Sequence, residues 1–299
     1  DCEREYICVI GSLNYDIIMK QKRMPLQGET YTADSITYSG GGKGANQAVQ
    51  CAKLGIDTIM VGKVGRDTFG ASLVEKLKDY GVDCSCIGRS SSPTGVGVVH
   101  ALEDGTVYAS IITGANFDIT SREIDGLDEL IRNSRIVILQ LEIPTEVVEH
   151  IIRKAKQYHV YTILNAAPAK EMDLEVLKMA DCLIVNETEA SFYAGVDMTD
   201  GGMVRAHADR LRQLTFRPLK FFLKFSHCRP QEGFQYSMVR LNCSMVLNDY
   251  HRQQKILAGI IEPAVQLESG CGFFKIFKTA AGSCKVDLPN DDYTALAYE

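Results

Sequence analysis

The chain has 299 residues, 45% of them apolar and 23% charged, which suits one large α/β domain or a domain with a small appendage. Its formal charge of −6 and the absence of any Lys/Arg stripe argue against a nucleic-acid partner. No apolar stretch reaches about eighteen residues, so no membrane span is expected, and no charged-then-apolar leader precedes the first strand.

The ten cysteines lack metal-site spacing: Cys84 and Cys86 are one residue apart, and there is no Cys-x-x-Cys and no His cluster nearby. Most sit in apolar runs (Cys8, Cys51, Cys182), where a thiol packs as a small hydrophobe. A reduced, cytoplasmic protein is expected.

Tyr6-Ile-Cys-Val-Ile10 reads as a buried strand ending at Gly11-Ser-Leu-Asn-Tyr-Asp16. Polar residues just past a strand's carboxyl end sit where open α/β sheets bind ligands, so Asn14 and Asp16 are candidates; an ordinary role in a turn is the alternative. From Ile17 to Tyr38, β-branched and aromatic residues alternate with polar ones, which fits short antiparallel strands on the rim. A second rim hairpin is predicted from Gly95 to Ala101 and Val107 to Ile112 around Glu103-Asp-Gly105. The two together form a lid, from residues 12 to 40 and 95 to 113 approximately, that would exclude water from a reaction.

Between these segments lies Ser39-Gly-Gly-Gly-Lys-Gly-Ala-Asn46, opening a helix. Its glycines permit close approach of backbone to ligand, and a helix start offers free N–H groups and partial positive charge. Lys43 adds a cation and Asn46 an amide. A phosphate, a polyhydroxylated small molecule, or both would fit. A P-loop is excluded because Gly44 stands where Ser or Thr must ligate magnesium. A dinucleotide fingerprint through Gly40, Gly42 and Ala45 lacks a strand immediately before it. A plain turn before a helix is the remaining alternative.

The rest of the first two thirds alternates strand and helix. Asn46 to Leu54 reads as helix, Asp57 to Val61 as strand and Gly70 to Tyr80 as helix. Ile136 to Leu139 reads as strand, Thr145 to Lys156 as amphipathic helix and Tyr161 to Leu164 as strand. Leu174 to Met179 follows as a short helix and Cys182 to Val185 as strand. This succession implies a mostly parallel sheet with helices on both faces. Three strands run into polar groups, namely Gln140-Leu-Glu142, Asn165-Ala-Ala-Pro168 and Asn186-Glu-Thr-Glu189, which would line one sheet edge as a crevice.

Taken in order, Gly11-Ser-Leu-Asn14-Tyr-Asp16, Gly28-Glu29-Thr30, Gly41-Gly42-Lys43-Gly44-Ala45-Asn46-Gln47-Ala48, Val64-Gly65-Arg66-Asp67-Thr68-Phe69-Gly70, Thr94-Gly95 and Asn186-Glu-Thr-Glu189 form a recognisable set. Residues 6 to 214 resemble the ribokinase-like (PfkB) sugar and nucleoside kinase family, which includes fructokinase and adenosine kinase. The Gly41–Ala48 string and Asn165-Ala-Ala-Pro168 resemble its ribokinase branch most. The resemblance implies a ribokinase-like α/β fold with a small β-sheet lid. It implies ATP- and Mg2+-dependent transfer of the γ-phosphoryl group to a sugar hydroxyl, D-ribose to ribose 5-phosphate, and leaves K+ activation open.

By the same resemblance Asn14, Asp16, Gly41, Gly42, Lys43, Asn46 and Glu142 hold the sugar, while Asn186 and Glu189 organise phosphates and magnesium, Glu189 as the metal residue. A homodimer through the lid is implied too. The family's base follows a Gly-Ala-Gly-Asp string that this sequence lacks; the nearest string, Ser269-Gly270-Cys271-Gly272-Phe273, puts Gly270 and Gly272 at the phosphates and Phe273 at the base position. Phenylalanine cannot accept a proton.

After Leu214 the βα alternation stops, although Thr215 to Phe225 holds a strand, Tyr236 to Leu247 one strand or two, and Arg252 to Leu267 a helix interrupted at Pro263. A shifted reading frame, splice difference or sequence error after about Leu214 accounts for this change, and so does genuine divergence. Three functions therefore stay open: a ribose kinase, a kinase for another sugar or a nucleoside, and a sugar-binding or regulatory protein without catalysis.

Overall fold

Ile7–Ile10 (β1) is buried at every residue and runs down the middle of a seven-stranded sheet. Continuous apolar character is what a strand covered on both faces requires. The computed structural model describes residues 6–197, together with the backbone of 223–224, 275–278 and 284–287.

Along the chain, β1 is followed by β2 (Asn14–Gln21), β3 (Ser35–Gly41), α1 (Lys43–Lys53), β4 (Thr58–Gly65) and α2 (Thr68–Asp79). Next come β5 (Ile87–Ser90), β6 (Gly95–Leu102), β7 (Val107–Ile112), a 3-10 turn at Gly114–Asp118, α3 (Ser121–Asp125) and α4 (Asp128–Asn133). Then come β8 (Ile136–Gln140), α5 (Thr145–Gln157), β9 (Tyr161–Asn165), α6 (Leu174–Leu177), β10 (Cys182–Asn186), α7 (Glu187–Ala194) and β11 (Leu223–Lys224). The main sheet has the order β11-β10-β9-β8-β1-β4-β5, with every pair parallel.

Strand alternation divides the core between the two faces. Cys8 and Ile10 join one cluster with Val137, Leu139 and the α5 stripe Val147, Val148, Ile151, Ile152 and Ala155. Ile7 and Val9, equally buried, point the other way. The α5 stripe recurs at helical spacing, while Glu149, Arg153 and Asp173 form ion pairs on the outside. Helices thus cover both faces, as the sequence implies.

The two rim hairpins join into one small lid sheet, as expected. Strands β3, β2, β6 and β7 lie side by side in that order. The outer pairs are antiparallel, but β2 and β6 pair in parallel from Asn14↔Gly95 to Gln21↔Leu102. That joint links residues about eighty apart in sequence and has no local signal. It sets Asn14 and Asp16 inside β2, on strand backbone rather than in a turn.

The chain divides into two compact units, Asp1–Leu247 and Asn248–Glu299. In the second, the described backbone is an antiparallel hairpin of β12 (Lys275–Lys278) and β13 (Cys284–Asp287). In the first, β11 supplies the strand expected within Thr215 to Phe225. The expected elements at 236–247 and 252–267, and Gly270, Gly272 and Phe273, lie outside the described residues.

Candidate active site

The carboxyl end of β1, the start of α1 and the end of β8 meet at one carboxylate. Glu142 follows β8 and is 9% exposed. Its Oε2 accepts from the Ser12 hydroxyl (2.5 Å) and from the Lys43 backbone N–H (3.0 Å), and Oε1 lies 3.2 Å from Lys43 Nζ. The Gly44 N–H donates to Ser12 Oγ (3.2 Å) and the Ala45 N–H to the Ser12 carbonyl (2.9 Å). The first three amides of α1 are therefore already satisfied. This corrects the expectation that the helix start offers free N–H groups to an anion; the loop instead presents side chains, with Lys43 and Asn46 on the first turn of α1 and half-buried.

Asp16 projects from β2 onto the same side as Asn14, two residues apart on the strand. It is 6% exposed and fits because both flanking strands carry glycine there. A Cβ on Gly41 would lie 2.0 Å from Asp16 Oδ2, and one on Gly97 2.4 Å from Oδ1. Asn14, also buried, accepts a hydrogen bond from Asn116 Nδ2 (2.7 Å). The structure thus brings together Asn14, Asp16, Gly41, Gly42, Lys43 and Glu142, a set of amide, ammonium and carboxylate groups suited to a polyhydroxylated ligand.

Asn186 and Glu189 stand apart from that cluster. They form a capping box at the start of α7: the Glu189 N–H donates to Asn186 Oδ1, and the Asn186 N–H to Glu189 Oε2, both at 2.8 Å. Adjacent strand ends align Gln140 with Asn165, and Asn165 with Ile184. Two strand spacings place this helix start about 10 Å along the same edge from the end of β8. Magnesium takes oxygen donors and keeps much of its shell as water and phosphate. A buried carboxylate at a strand's carboxyl end, beside a helix N-terminus that attracts anions, fits a metal of that kind.

Several contributors carry no recognisable sequence signal. Ser12 and Asn116 are two, joined to Glu142 and Asn14 across more than a hundred residues. Lys170, beyond β9, holds its ammonium 4.7 Å from the Phe117 ring centre. Burial lowers its pKa, while Glu142 and Glu146 pull it back up. Tyr193 Oη donates to the Lys170 carbonyl (2.8 Å), and burial pushes that phenol up to about 12. Gln140, by contrast, was expected to line the crevice and does not: it is fully buried and its Nε2 donates to Gln47 Oε1, tying β8 to α1.

The Val64–Gly70 and Thr94-Gly95 motifs are a structural knot. Asp67 Oδ1 accepts from the Gly70 N–H (2.8 Å), capping α2, and from Thr94 Oγ1 (2.6 Å), while Oδ2 accepts from the Thr94 N–H (2.7 Å). Burial raises the Asp67 pKa, but these hydrogen bonds outweigh it and leave it below the usual carboxylate value. A depressed carboxyl pKa stabilises the fold above the unfolded value of about 3.9, and the contribution disappears as pH falls through the lower folded value. Asp67→Ala is expected to cost about 1–2 kcal/mol at neutral pH by urea denaturation, with the gap to wild type closing under acid. A gap that stays constant down to pH 2 would contradict this assignment. Gly28-Glu29-Thr30 is similar in kind: Arg23 pairs with Glu29 through two bonds (2.8 and 2.7 Å), lowering the Glu29 pKa to about 2 on the exposed β2–β3 connection.

The pattern of the pfkB family carbohydrate kinases matches residues 4–214. The match ends where the βα alternation stops in the sequence. The chain is 36% identical over 204 residues to a bifunctional ribokinase/ribose-5-phosphate isomerase A of Fructilactobacillus sanfranciscensis, covering 68% of this chain and 38% of that protein. It is 33% identical over 207 residues to a deoxyribokinase of Salmonella typhi, covering 69% of this chain and 68% of that one. Among solved structures, Arabidopsis thaliana ribokinase complexed with ribose and ATP superposes with a TM-score of 0.66 at 32% identity, over 73% of this chain and 72% of that one.

Proposed function

Because the chain belongs to the pfkB family of carbohydrate kinases, we propose that it transfers the γ-phosphoryl group of ATP to a sugar hydroxyl, converting D-ribose to ribose 5-phosphate. The observation that carries this reading is the convergence of Asp16, Lys43, Glu142 and Asn14 around a glycine-lined junction of β1, α1 and the lid. Carboxylates accept from sugar hydroxyls, and the ammonium and amide donate to sugar oxygens, so each hydroxyl is held in both of its roles. Binding of that kind fixes the attacking hydroxyl without requiring charge on the substrate.

In this reading Asn186 and Glu189 receive the nucleotide phosphates and a magnesium ion, a role supported by the capping box at the start of α7 and the burial of Glu189. When bound, magnesium neutralises charge on the phosphoryl oxygens. The lid sheet keeps water from competing with the sugar as acceptor. The relatives do not single out the sugar, since one is named a ribokinase and another a deoxyribokinase. A second reading, a sugar-binding protein without turnover, is favoured by one sequence observation, Phe273 at the position of the family's base.

The test is ADP release from ATP and magnesium, with and without K+, dependent on D-ribose, 2-deoxyribose or a nucleoside. Sugar-dependent release supports the kinase. Sugar binding with no release supports the second reading. We further place the protein in the cytoplasm: the five described cysteines are free thiols, and no described helix is long and apolar enough to cross a membrane. We also propose a homodimer through the lid, whose strands expose Ile36, Tyr38, Tyr108, Ile111 and Ile112. Light scattering that gave the mass of one chain would contradict the dimer.

A further inference from the structure

We propose that Asn116, in the 3-10 turn after β7, is a positioning residue that fixes Asn14 as a hydrogen-bond donor to the sugar. The inference rests on the sugar-kinase reading for its ligand, but its geometry stands on its own. Asn116 is 2% exposed and its side chain makes three hydrogen bonds. Its Oδ1 accepts from the Leu13 backbone N–H (2.8 Å), and its Nδ2 donates to the Leu13 carbonyl (3.2 Å) and to Asn14 Oδ1 (2.7 Å).

An amide can be flipped without changing its shape, so orientation must be argued from partners. A backbone N–H only donates, so the Asn116 atom facing Leu13 N must be the oxygen. The nitrogen then faces the Leu13 carbonyl and Asn14, and the Asn14 atom facing it must be an acceptor. Polarity therefore passes from the backbone of Leu13, through Asn116, to Asn14. With Oδ1 so committed, Asn14 is left with its NH2, which has no acceptor among the described residues.

The pair is tightly enclosed. A Cβ on Gly95 would lie 2.3 Å from both Asn116 Nδ2 and Asn14 Oδ1, so the glycine of β6 leaves space for the two amides and nothing more. Asp16, two residues on and on the same side of β2, is an acceptor when ionised. Donor and acceptor set about 7 Å apart along one strand select a ligand whose hydroxyls accept at the first position and donate at the second. A sugar hydroxyl meets both demands, whereas a group that only donates is rejected at Asn14. Specificity here is a consequence of polarity that Asn116 imposes from outside the site.

The test uses the full chain labelled with 15N-asparagine, D-ribose titrations by calorimetry, and two variants. Asn116→Asp keeps the acceptor for Leu13 N–H but no longer donates, so Asn14 turns its NH2 inward and presents oxygen to the sugar. Asn14→Asp keeps the acceptor for Asn116 and replaces the outward donor with oxygen, which preserves the network should Asn116→Asp fail to fold. The expected result has three parts. The Asn116 side-chain NH2 is protected from solvent exchange, the Asn14 NH2 resonances move when D-ribose is added, and each variant, less stable than wild type but still melting cooperatively, binds D-ribose about 10- to 100-fold more weakly. Folded Asn116→Asp binding D-ribose as wild type does would overturn the proposal, as would an Asn116 NH2 that exchanges like an exposed amide. If wild type binds no sugar at all, the sugar-kinase reading falls, and protection of the Asn116 NH2 alone decides whether the fixed polarity survives it.

Discussion

Glu142→Ala is expected to weaken D-ribose binding about 100-fold or more and to lower stability by about 1–3 kcal/mol. One side chain accounts for both effects because Glu142 holds the site together as well as facing it. Its Oε2 takes the Ser12 hydroxyl and the Lys43 N–H, and its Oε1 takes the Lys43 ammonium. Alanine leaves the hydroxyl and the amide without that acceptor, in a place where water reaches poorly. It also frees Lys43 to point away from the ligand, and Lys170 loses a carboxylate that raises its pKa. Glu142→Gln would separate the contributions: the remaining carbonyl restores one acceptor and most of the stability, but not the charge that orients Lys43. Calorimetry for affinity and urea denaturation for stability check the pair. Wild-type affinity in the alanine variant would remove Glu142 from the site.

Gly42→Ala is the second large effect. Gly42 caps α1 at φ 88°, in the region that disfavours side chains, and a Cβ there would lie 2.8 Å from Asn14 N and 2.9 Å from the Ser12 carbonyl oxygen. Both contacts are backbone, so neither can rotate away. The expected cost is about 2–4 kcal/mol, combining backbone strain of about 1 kcal/mol with overpacking of about 1–3. Sugar affinity falls with it, because the β1–β2 connection and the start of β2, which carries Asn14, must move. Gly55→Ala is the control: φ is 76°, but no atom lies within 4 Å of the new methyl. It carries the strain without the collisions, at about 1 kcal/mol and with D-ribose affinity unchanged. Equal costs for the two variants would show that the close approach at Gly42 does not matter.

The main sheet was legible because its strands are fully buried and carry their own signal. Ile7–Ile10, Ile136–Gln140 and Cys182–Asn186 are apolar runs bounded by polar ends, and α5 has an unbroken apolar stripe. What escaped has a common cause, dependence on distant partners. The parallel β2–β6 joint lacks a local pattern, so the sequence shows the two hairpins of the lid but not how they pair. Strand β5 sits at the sheet edge with Gly88 and Arg89 in its four residues, too polar and too short to stand out. The α3 start was available in principle, since Thr120 and Glu123 form a capping box with the spacing of that motif.

The site divides along the same line. Asp16, Lys43 and Glu142 were accessible because chemistry and motif order agree on them. Asn116 meets Asn14 across 102 residues, and Ser12 meets Glu142 across 130, contacts that only the folded chain creates. Gln140 misled for the opposite reason: its place at a strand end is right for a ligand, but its side chain turns into the core toward Gln47.

The central claim is that the junction of β1, α1 and the lid is a sugar site, and calorimetric titration of D-ribose and 2-deoxyribose into the full chain tests it most directly. The account predicts saturable binding of at least one of them at one site per chain, abolished by Asp16→Ala in a variant that still melts cooperatively. Absence of binding by either sugar to a folded chain, or binding that Asp16→Ala leaves intact, would contradict it.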